Sequence, residues 1–416
     1  MEDIIEANFT EISETPQEAP NTEVAVAIET EVAKGPEVAI TSYAFTMSVI
    51  IPAYNCRAEI ERLLDSIVIQ NWPKEYLEVI ICEDRNSTDN FMELVTPYYE
   101  KLNIKHFMTE ERDIHCPGNT RMDGLAHAEG QWVTFIDNDD VFDEGAFDMI
   151  ERTVVETGCN DMIFTIFHEY IDDKWIDKSQ DPNAHGGYGR EFDGNTWLHG
   201  NWYNRQWLID NGIHFKENLE SHEDLYFNSL CMATLLSQNK QYTIPRENAQ
   251  PGPDGKRKYA YTWVYRPNSL SRGYFNTEHY YIEVYLSDYI YSATMPWMHG
   301  YSSYCNPSES DGPEQVQRKA ELKEFFIKQC VATLLYTFFY WEAGFYRIGE
   351  KVLPQNIGII RDAVDQVCFR FKITKSDIIN RVYARPEEYM RIKQESFSGG
   401  GAFVELHTFK DFIFSL

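Results

Sequence analysis

From Phe45 onward the chain alternates short apolar runs with stretches whose apolar residues recur at helical spacing. Residues 48–52 form one such run, ending at Ala53-Tyr54-Asn55, and Ile60, Leu63, Leu64, Ile67 and Val68 then share one face of a predicted helix. The unit recurs three times: residues 77–82 precede a helix after Ser87, residues 104–108 a helix near Thr120, and residues 132–136 a helix after Glu144. Short apolar runs alternating with amphipathic helices predict an α/β domain, a mostly parallel sheet with helices on both faces. Ligands of such sheets bind beyond the carboxyl ends of the strands. Three of those ends carry polar residues here: Asn55, Glu83 with Asp84, and residues 137–140.

After residues 161–171 the order is less regular. Helical stretches at 202–211 and 223–236 are followed by β-rich pieces at 241–244 and 258–265, which flank a Pro-Gly-Pro-Asp-Gly loop. The remainder reads as helical, with polar breaks at 306–313 and 399–401. The predicted organisation is therefore a tail over 1–43, an α/β domain over 44–275 and a mainly helical C-terminal region over 276–416. Residues 325–344 are rich in Phe, Leu, Tyr and Trp, but Lys328, Gln329 and Glu342 interrupt them, which predicts a buried helix and no membrane span.

Charge narrows the function classes. The 416 residues carry a formal charge of −29, which disfavours general attraction to phosphate backbones or anionic lipid. Lys256-Arg257-Lys258 is the one compact basic cluster, so nucleic acid is not a favoured partner. Residues 1–42 hold ten acids and one base among Thr, Pro, Ala and Val, a composition expected to stay disordered. Eight cysteines without a Cys-x-x-Cys pair indicate neither a zinc ribbon nor a disulfide framework. With no basic and apolar leader at the N-terminus, a cytoplasmic protein is expected.

Asp137-Asn138-Asp139-Asp140 places three carboxylates within four residues, directly after an apolar strand. Like charges 4 Å apart repel by about 4 kcal/mol at an effective dielectric near 20. A hard cation such as Mg²⁺ or Mn²⁺ would relieve that repulsion. So would a solvated turn with Asx hydrogen bonds, and the residues alone leave both readings open.

In order and spacing the motifs resemble the family 2 glycosyltransferases, whose fold is the GT-A nucleotide-sugar-binding fold. The resemblance rests on Ser48-Val-Ile-Ile-Pro-Ala-Tyr-Asn55, on Glu83-Asp84-Arg85-Asn86-Ser87-Thr88-Asp89, on Arg121-Met122-Asp123-Gly124-Leu125, on Ala128-Glu129-Gly130-Gln131-Trp132 and on the Asp-x-Asp at 137–139. It extends through Gly212-Ile-His-Phe215 and His222-Glu223-Asp224 to Arg272, a little over half of the chain. Met122 stands where the family usually has Asn, and residues 83–89 hold one residue more than the family pattern.

What the resemblance implies is a nucleoside diphosphate sugar donor, most simply a UDP-sugar, bound by Pro52, Ala53, Tyr54, Asp84, Arg121, Asp137, Asn138 and Arg272. It further implies Mn²⁺ or Mg²⁺ on Asp139 and Asp137, and inverting transfer with Asp224, beside Glu223, as general base toward an acceptor hydroxyl. Such a base contributes roughly 10²- to 10⁴-fold. Trp202 and Trp207 are candidates for stacking on the acceptor, although core packing explains them equally. Ser221-x-x-Asp224 also has the form of a helix capping box. No Gln-x-x-Arg-Trp motif occurs, which favours transfer of a single sugar. The expected acceptor is a glycan or other glycoconjugate; a hydroxymethylated DNA base, as in phage enzymes, and a non-catalytic nucleotide-sugar-binding protein are the alternatives. The C-terminal helices are expected to shape the acceptor side or to form an oligomer contact.

Overall fold

The structure is a computed structural model that describes residues 31–32, 43–171, 174–176, 197–266, 279–344, 354–384 and 406–415. Arg272 lies outside the described residues, as does most of the acidic tail.

An eight-stranded sheet runs in the order β1-β11-β7-β10-β5-β2-β3-β4. Its strands are β1 (Glu31–Val32), β2 (Met47–Ala53), β3 (Leu77–Glu83), β4 (Ile104–Met108), β5 (Trp132–Phe135), β7 (Met162–Ile163), β10 (Trp202–Asn204) and β11 (Thr243–Ile244). A smaller sheet comprises β6 (Val141–Phe142), β8 (His168–Ile171), β9 (Lys174–Ile176) and β12 (Tyr261–Val264), ordered β6-β12-β8-β9. Strands β4, β3, β2 and β5 are parallel, whereas β10 runs antiparallel to both β5 and β7. The GT-A-like architecture expected from the sequence is thus present.

Every residue of β2 is buried, because both faces of the sheet are covered. Met47, Val49 and Ile51 point into one core together with Val79 and Ile81, while Ile50 and Ile80 point into the other, as the two-residue period of a strand requires. The first core is closed by α1 (Ile60–Val68) and α3 (Ala146–Thr157), and the second by α2 (Pro117–Ala126) and α4 (Glu223–Ser237). Strand β2 pairs with β3 on one side and β5 on the other, so the connections diverge at the carboxyl end of β2. A cleft forms at such a point of divergence.

The helical C-terminal region comprises α5 (His279–Tyr304), α6 (Pro313–Gly344), α7 (Pro354–Phe371), α8 (Lys375–Tyr383) and α9 (Leu406–Ser415). It shares one continuous core with the α/β domain: Leu286, Tyr289, Ile290 and Trp297 of α5 join Leu225, Leu230 and Ala233 of α4. Phe326, Ile327 and Cys330 of α6 are fully buried, as the sequence predicts, and no described helix is long and apolar enough to cross a membrane.

Two expectations change. Residues 202–211 are not one helix: Trp202–Asn204 form a central strand, and a helix covers Arg205–Asp210. Consequently Trp202 is fully buried beside Phe142 and Phe147, and Trp207, whose Nε1–H donates to Gln238 Oε1 at 3.2 Å, is buried too. Neither indole offers a face on which an acceptor could stack. Within the acidic tail, Glu31–Val32 pair in parallel with Thr243–Ile244, a strand the composition did not predict.

A core role for Trp202 has a measurable consequence. Trp202→Ala should lower unfolding free energy by about 3–5 kcal/mol in urea titrations, while the folded fraction keeps its affinity for UDP. Loss of that affinity in a protein of unchanged stability would place Trp202 in a binding site after all.

Candidate active site

The cleft begins where β2 ends. Tyr54 is exposed, and Asn55 turns the chain with φ +44°. Its N–H donates to Ser87 Oγ at 3.0 Å, and its Oδ1 accepts from Thr88 N–H at 2.8 Å, which ties the ends of β2 and β3 together. Asp84 N–H continues the ladder by donating to Ala53 O at 2.8 Å. The buried Asp84 carboxylate accepts from Asn86 N–H at 2.8 Å and lies 3.1 Å from His115 Nδ1. Glu83 instead meets His106 Nε2 at 2.8 Å on β4. Of the two adjacent acids it is therefore Asp84 that stands at the end of β2. Asn138 Nδ2 donates to Pro52 O at 3.1 Å and brings the acidic loop over the same strand end.

Arg121 joins this side to the next. This α2 residue is 5% exposed. It donates through Nη2 to Asp137 Oδ1 at 2.5 Å and through Nη1 to Glu223 Oε1. Residues far apart in sequence thereby meet at one cation. Their approach needs Gly118, because a Cβ there would stand 2.9 Å from the Cβ of Glu223.

The acidic loop is divided in its bonding. Asp140 accepts from Tyr261 Oη–H, and from Val264 N–H at 2.8 Å, which anchors the loop to β12. Asp139 lies 3.3 Å from Arg266 Nη1, and Arg266 also reaches Glu59 at 3.0 Å. Among the described residues, the group able to converge on a cation is Asp137, Asp140 and His199, whose ligand atoms all lie within 4.8 Å of one another. The Asp-x-Asp reading anticipates Asp137 but not this company, for Asp139 faces Arg266 instead. His199 Nδ1 is buried without a hydrogen-bond partner, and the ring stacks on Tyr261 at 5.2 Å. Gly200, at φ +71°, makes room for that arrangement: a Cβ would come 2.8 Å from Tyr261 Cβ.

Charge explains why this donor set suits a cation. Burial, and then Asp139 and Asp137, hold the Asp140 carboxyl well above the usual carboxylate range. Burial and Asp137 raise Asp139 against the pull of Arg266. Burial pushes Asp137 up as well, but Arg121 and His199 together outweigh it, and of the three acids it alone is lowered. Burial pushes His199 down to about 4, so its imidazole is neutral and keeps a lone pair at physiological pH.

Across the cleft, α4 begins at Glu223. Ser221 does not cap it; the residue before the helix is His222, in the left-handed region at φ +58°, and Ser221 Oγ lies 3.0 Å from His222 Nδ1. The capping box suggested by Ser221-x-x-Asp224 does not form. Burial, followed by the adjacent Glu223 charge, raises Asp224 to about 8 despite Arg121. A carboxyl of that basicity is suited to accepting a proton near neutral pH.

Sequence reasoning missed His199, His115 and Arg266. His199 lies three residues before the start of β10, and its placement follows only once 202–204 is known to be a strand inside the sheet. His115 carried no motif.

Residues 48–219 match the family described as glycosyl transferase family 2. The chain is similar to the poly(ribitol-phosphate) beta-N-acetylglucosaminyltransferase TarS of Staphylococcus aureus, 41% identical over 93 residues, which are 22% of this chain and 16% of that protein. It is 38% identical over 96 residues to a poly(ribitol-phosphate) beta-glucosyltransferase of Bacillus spizizenii, covering 23% of this chain and 15% of the relative. The alignments thus span less than a fifth of these curated relatives. The fold is similar to that of S. aureus TarS 1–349 in complex with UDP-GlcNAc, with TM-score 0.56 and 20% identity over 86% of this chain and 93% of that one.

The raised Asp224 carboxyl fixes a sign for stability. Because the folded state holds a proton that the unfolded state releases near pH 4, Asp224 weakens the fold as pH rises from about 4 to 8. Asp224→Asn should therefore gain thermal stability relative to wild type between pH 5 and pH 9, by at least ~2 °C in melting temperature. A difference independent of pH would show that Asp224 titrates normally. Separately, Gly118→Ala should displace Glu223 from Arg121 and destabilise the fold by about 1–3 kcal/mol in chemical denaturation.

Proposed function

Because the chain carries a family 2 glycosyltransferase domain of GT-A fold, we propose that it transfers a single sugar from a nucleoside diphosphate sugar, in the simplest case a UDP-sugar, to an acceptor hydroxyl with inversion at the anomeric carbon. The observation that carries this reading is the Arg121 bridge: it holds Asp137, from the strand ends that would receive the donor, beside Glu223-Asp224, which would receive the acceptor. In this reading Pro52, Ala53, Tyr54 and Asp84 line the nucleoside, with Asp84 accepting from the base. Asn138 fixes the acidic loop over Pro52.

Asp137, Asp140 and His199, with Asp139 beside them, would supply the oxygen and nitrogen donors for Mn²⁺ or Mg²⁺. The orphaned His199 Nδ1 and the raised carboxyls of Asp139 and Asp140 support that fit. When bound, such an ion neutralises the charge that grows on a leaving diphosphate. Asp224 takes the proton of the acceptor hydroxyl as its oxygen bonds to the anomeric carbon, and the bond from that carbon to the diphosphate oxygen breaks. Arg121 pairs with Glu223 at the start of the helix, and burial keeps Asp224 basic.

For the acceptor, the relatives' names point to cell-surface glycopolymers: two act on poly(ribitol-phosphate), and a Campylobacter jejuni relative, 31% identical over 110 residues, is a glucosyltransferase acting on an undecaprenol-linked glycan. A polyhydroxylated glycan or glycoconjugate is the acceptor class we favour.

A panel of nucleotide sugars with Mn²⁺, read by thermal shift and by released nucleotide, tests this. Wild type should release nucleotide from at least one donor, and His199→Ala should remove most of the metal-dependent part of donor stabilisation. Asp224→Asn should keep donor affinity and lose roughly 10²- to 10⁴-fold in turnover. In wild type, turnover should rise with pH through about 8 as Asp224 loses its proton. Normal turnover in the Asn variant would overturn the base assignment, and donor binding without turnover in wild type would make the protein a nucleotide-sugar-binding module.

A further inference from the structure

Helix α4 starts without a side-chain cap, from a left-handed histidine, at the two residues that the proposed chemistry depends on. What holds that start comes from the C-terminal region. Ser221 N–H donates to Asp288 Oδ2 of α5 at 3.0 Å, and the backbone of Glu220 bonds the same carboxyl. One residue further along α5, the Tyr289 ring packs edge-on to His222 at 5.2 Å, and a turn beyond the start of α4, Tyr226 stacks on Tyr291 at 5.9 Å. Burial raises Asp288 to about 6, so at neutral pH it remains an ionised acceptor. An acceptor carboxylate at a helix N-terminus also opposes the positive end of the helix dipole. Asp288 thus holds, from another element, the turn that leads into α4, not the first N–H groups of the helix itself.

We propose that Asp288 is a positioning residue: its carboxylate, supplied by the helical C-terminal region, fixes the 220–222 turn and through it the direction in which Glu223 and Asp224 face the cleft. The proposal rests on the glycosyltransferase reading for its consequence, but not for its geometry. The donor side is not touched by Asp288; Asp84, Asn138 and Asp137 are held by β2, β3 and α2. Removing the carboxylate should therefore act on turnover and spare nucleotide binding, because displacement of a reacting group by about 1 Å costs up to roughly 10²-fold.

The whole 416-residue chain, with Asp288→Ala and Asp288→Asn, serves for the test. Three quantities are read: kcat for Mn²⁺-dependent UDP-GlcNAc hydrolysis, the Kd for UDP, and amide hydrogen exchange in the peptide spanning 219–224. The Ala variant should lose about 10- to 100-fold in kcat, keep its UDP affinity, and exchange faster at 219–224. The Asn variant, which retains one acceptor oxygen, should fall between it and wild type. Faster exchange in the Ala variant when wild type hydrolyses no UDP-GlcNAc would sustain the positioning role and count against the functional reading with that donor. Unchanged exchange at 219–224, or a loss of UDP affinity equal to the loss of kcat, would overturn the positioning role whatever the turnover.

Discussion

A buried arginine between two acids organises the cleft. Arg121 is withdrawn from water and answers Asp137 on one flank and Glu223 on the other. A buried charge that loses a partner costs far more than the pair gains over apolar packing, so the arrangement is intolerant of partial assembly. Its three members sit on α2, at the end of β5 and at the start of α4, and α2 approaches α4 closely only because residue 118 lacks a side chain. Strand ends and helix start are thereby locked to a common frame, in which Asp224 is crowded by Glu223 and the acidic loop is left with more negative charge than its bonds neutralise.

Much of this was legible beforehand because it is written in local periodicity. The runs at 48–52, 77–82 and 132–136 are mostly apolar, as strands covered on both faces require, the edge run at 104–108 is mixed, and β2 to β5 lie where those runs are. The polar residues at their ends mark the cleft for the same reason. Trp202 was harder: Trp-Tyr-Asn is followed by Arg-Gln-Trp-Leu-Ile-Asp, and three residues of strand leading directly into a helix carry too little period to separate from it. With that strand went His199, whose position depends on the antiparallel insertion of β10 beside β5. The choice of Asp84 over Glu83 rested on which face of the β3 end each side chain takes. The answer came from His106 on β4, which engages Glu83. Asp288 had no signal at all, since a carboxylate that holds a turn 67 residues earlier leaves no spacing to recognise.

The chain also departs from a plain two-layer division into catalytic and accessory parts. Residues of α5 and α6 continue the core that begins under β2 and β3, so the C-terminal helices are packed into the α/β domain and do not hang from it. Acidity is general in this protein, yet the cleft shows how locally it is managed: Arg121, Arg266 and Arg62 are all spent on the loop at 137–140 or its immediate surroundings.

That continuity changes what counts as a separable piece. The family match stops at residue 219, four residues short of Glu223, so a fragment trimmed to it would leave Arg121 facing a single acid and strip α2 of its neighbour. Extending the cut through α4 restores the ion pair but leaves the turn at 220–222 without Asp288. A unit that keeps both contacts therefore includes Asp288 on α5, well beyond the border of the sequence family.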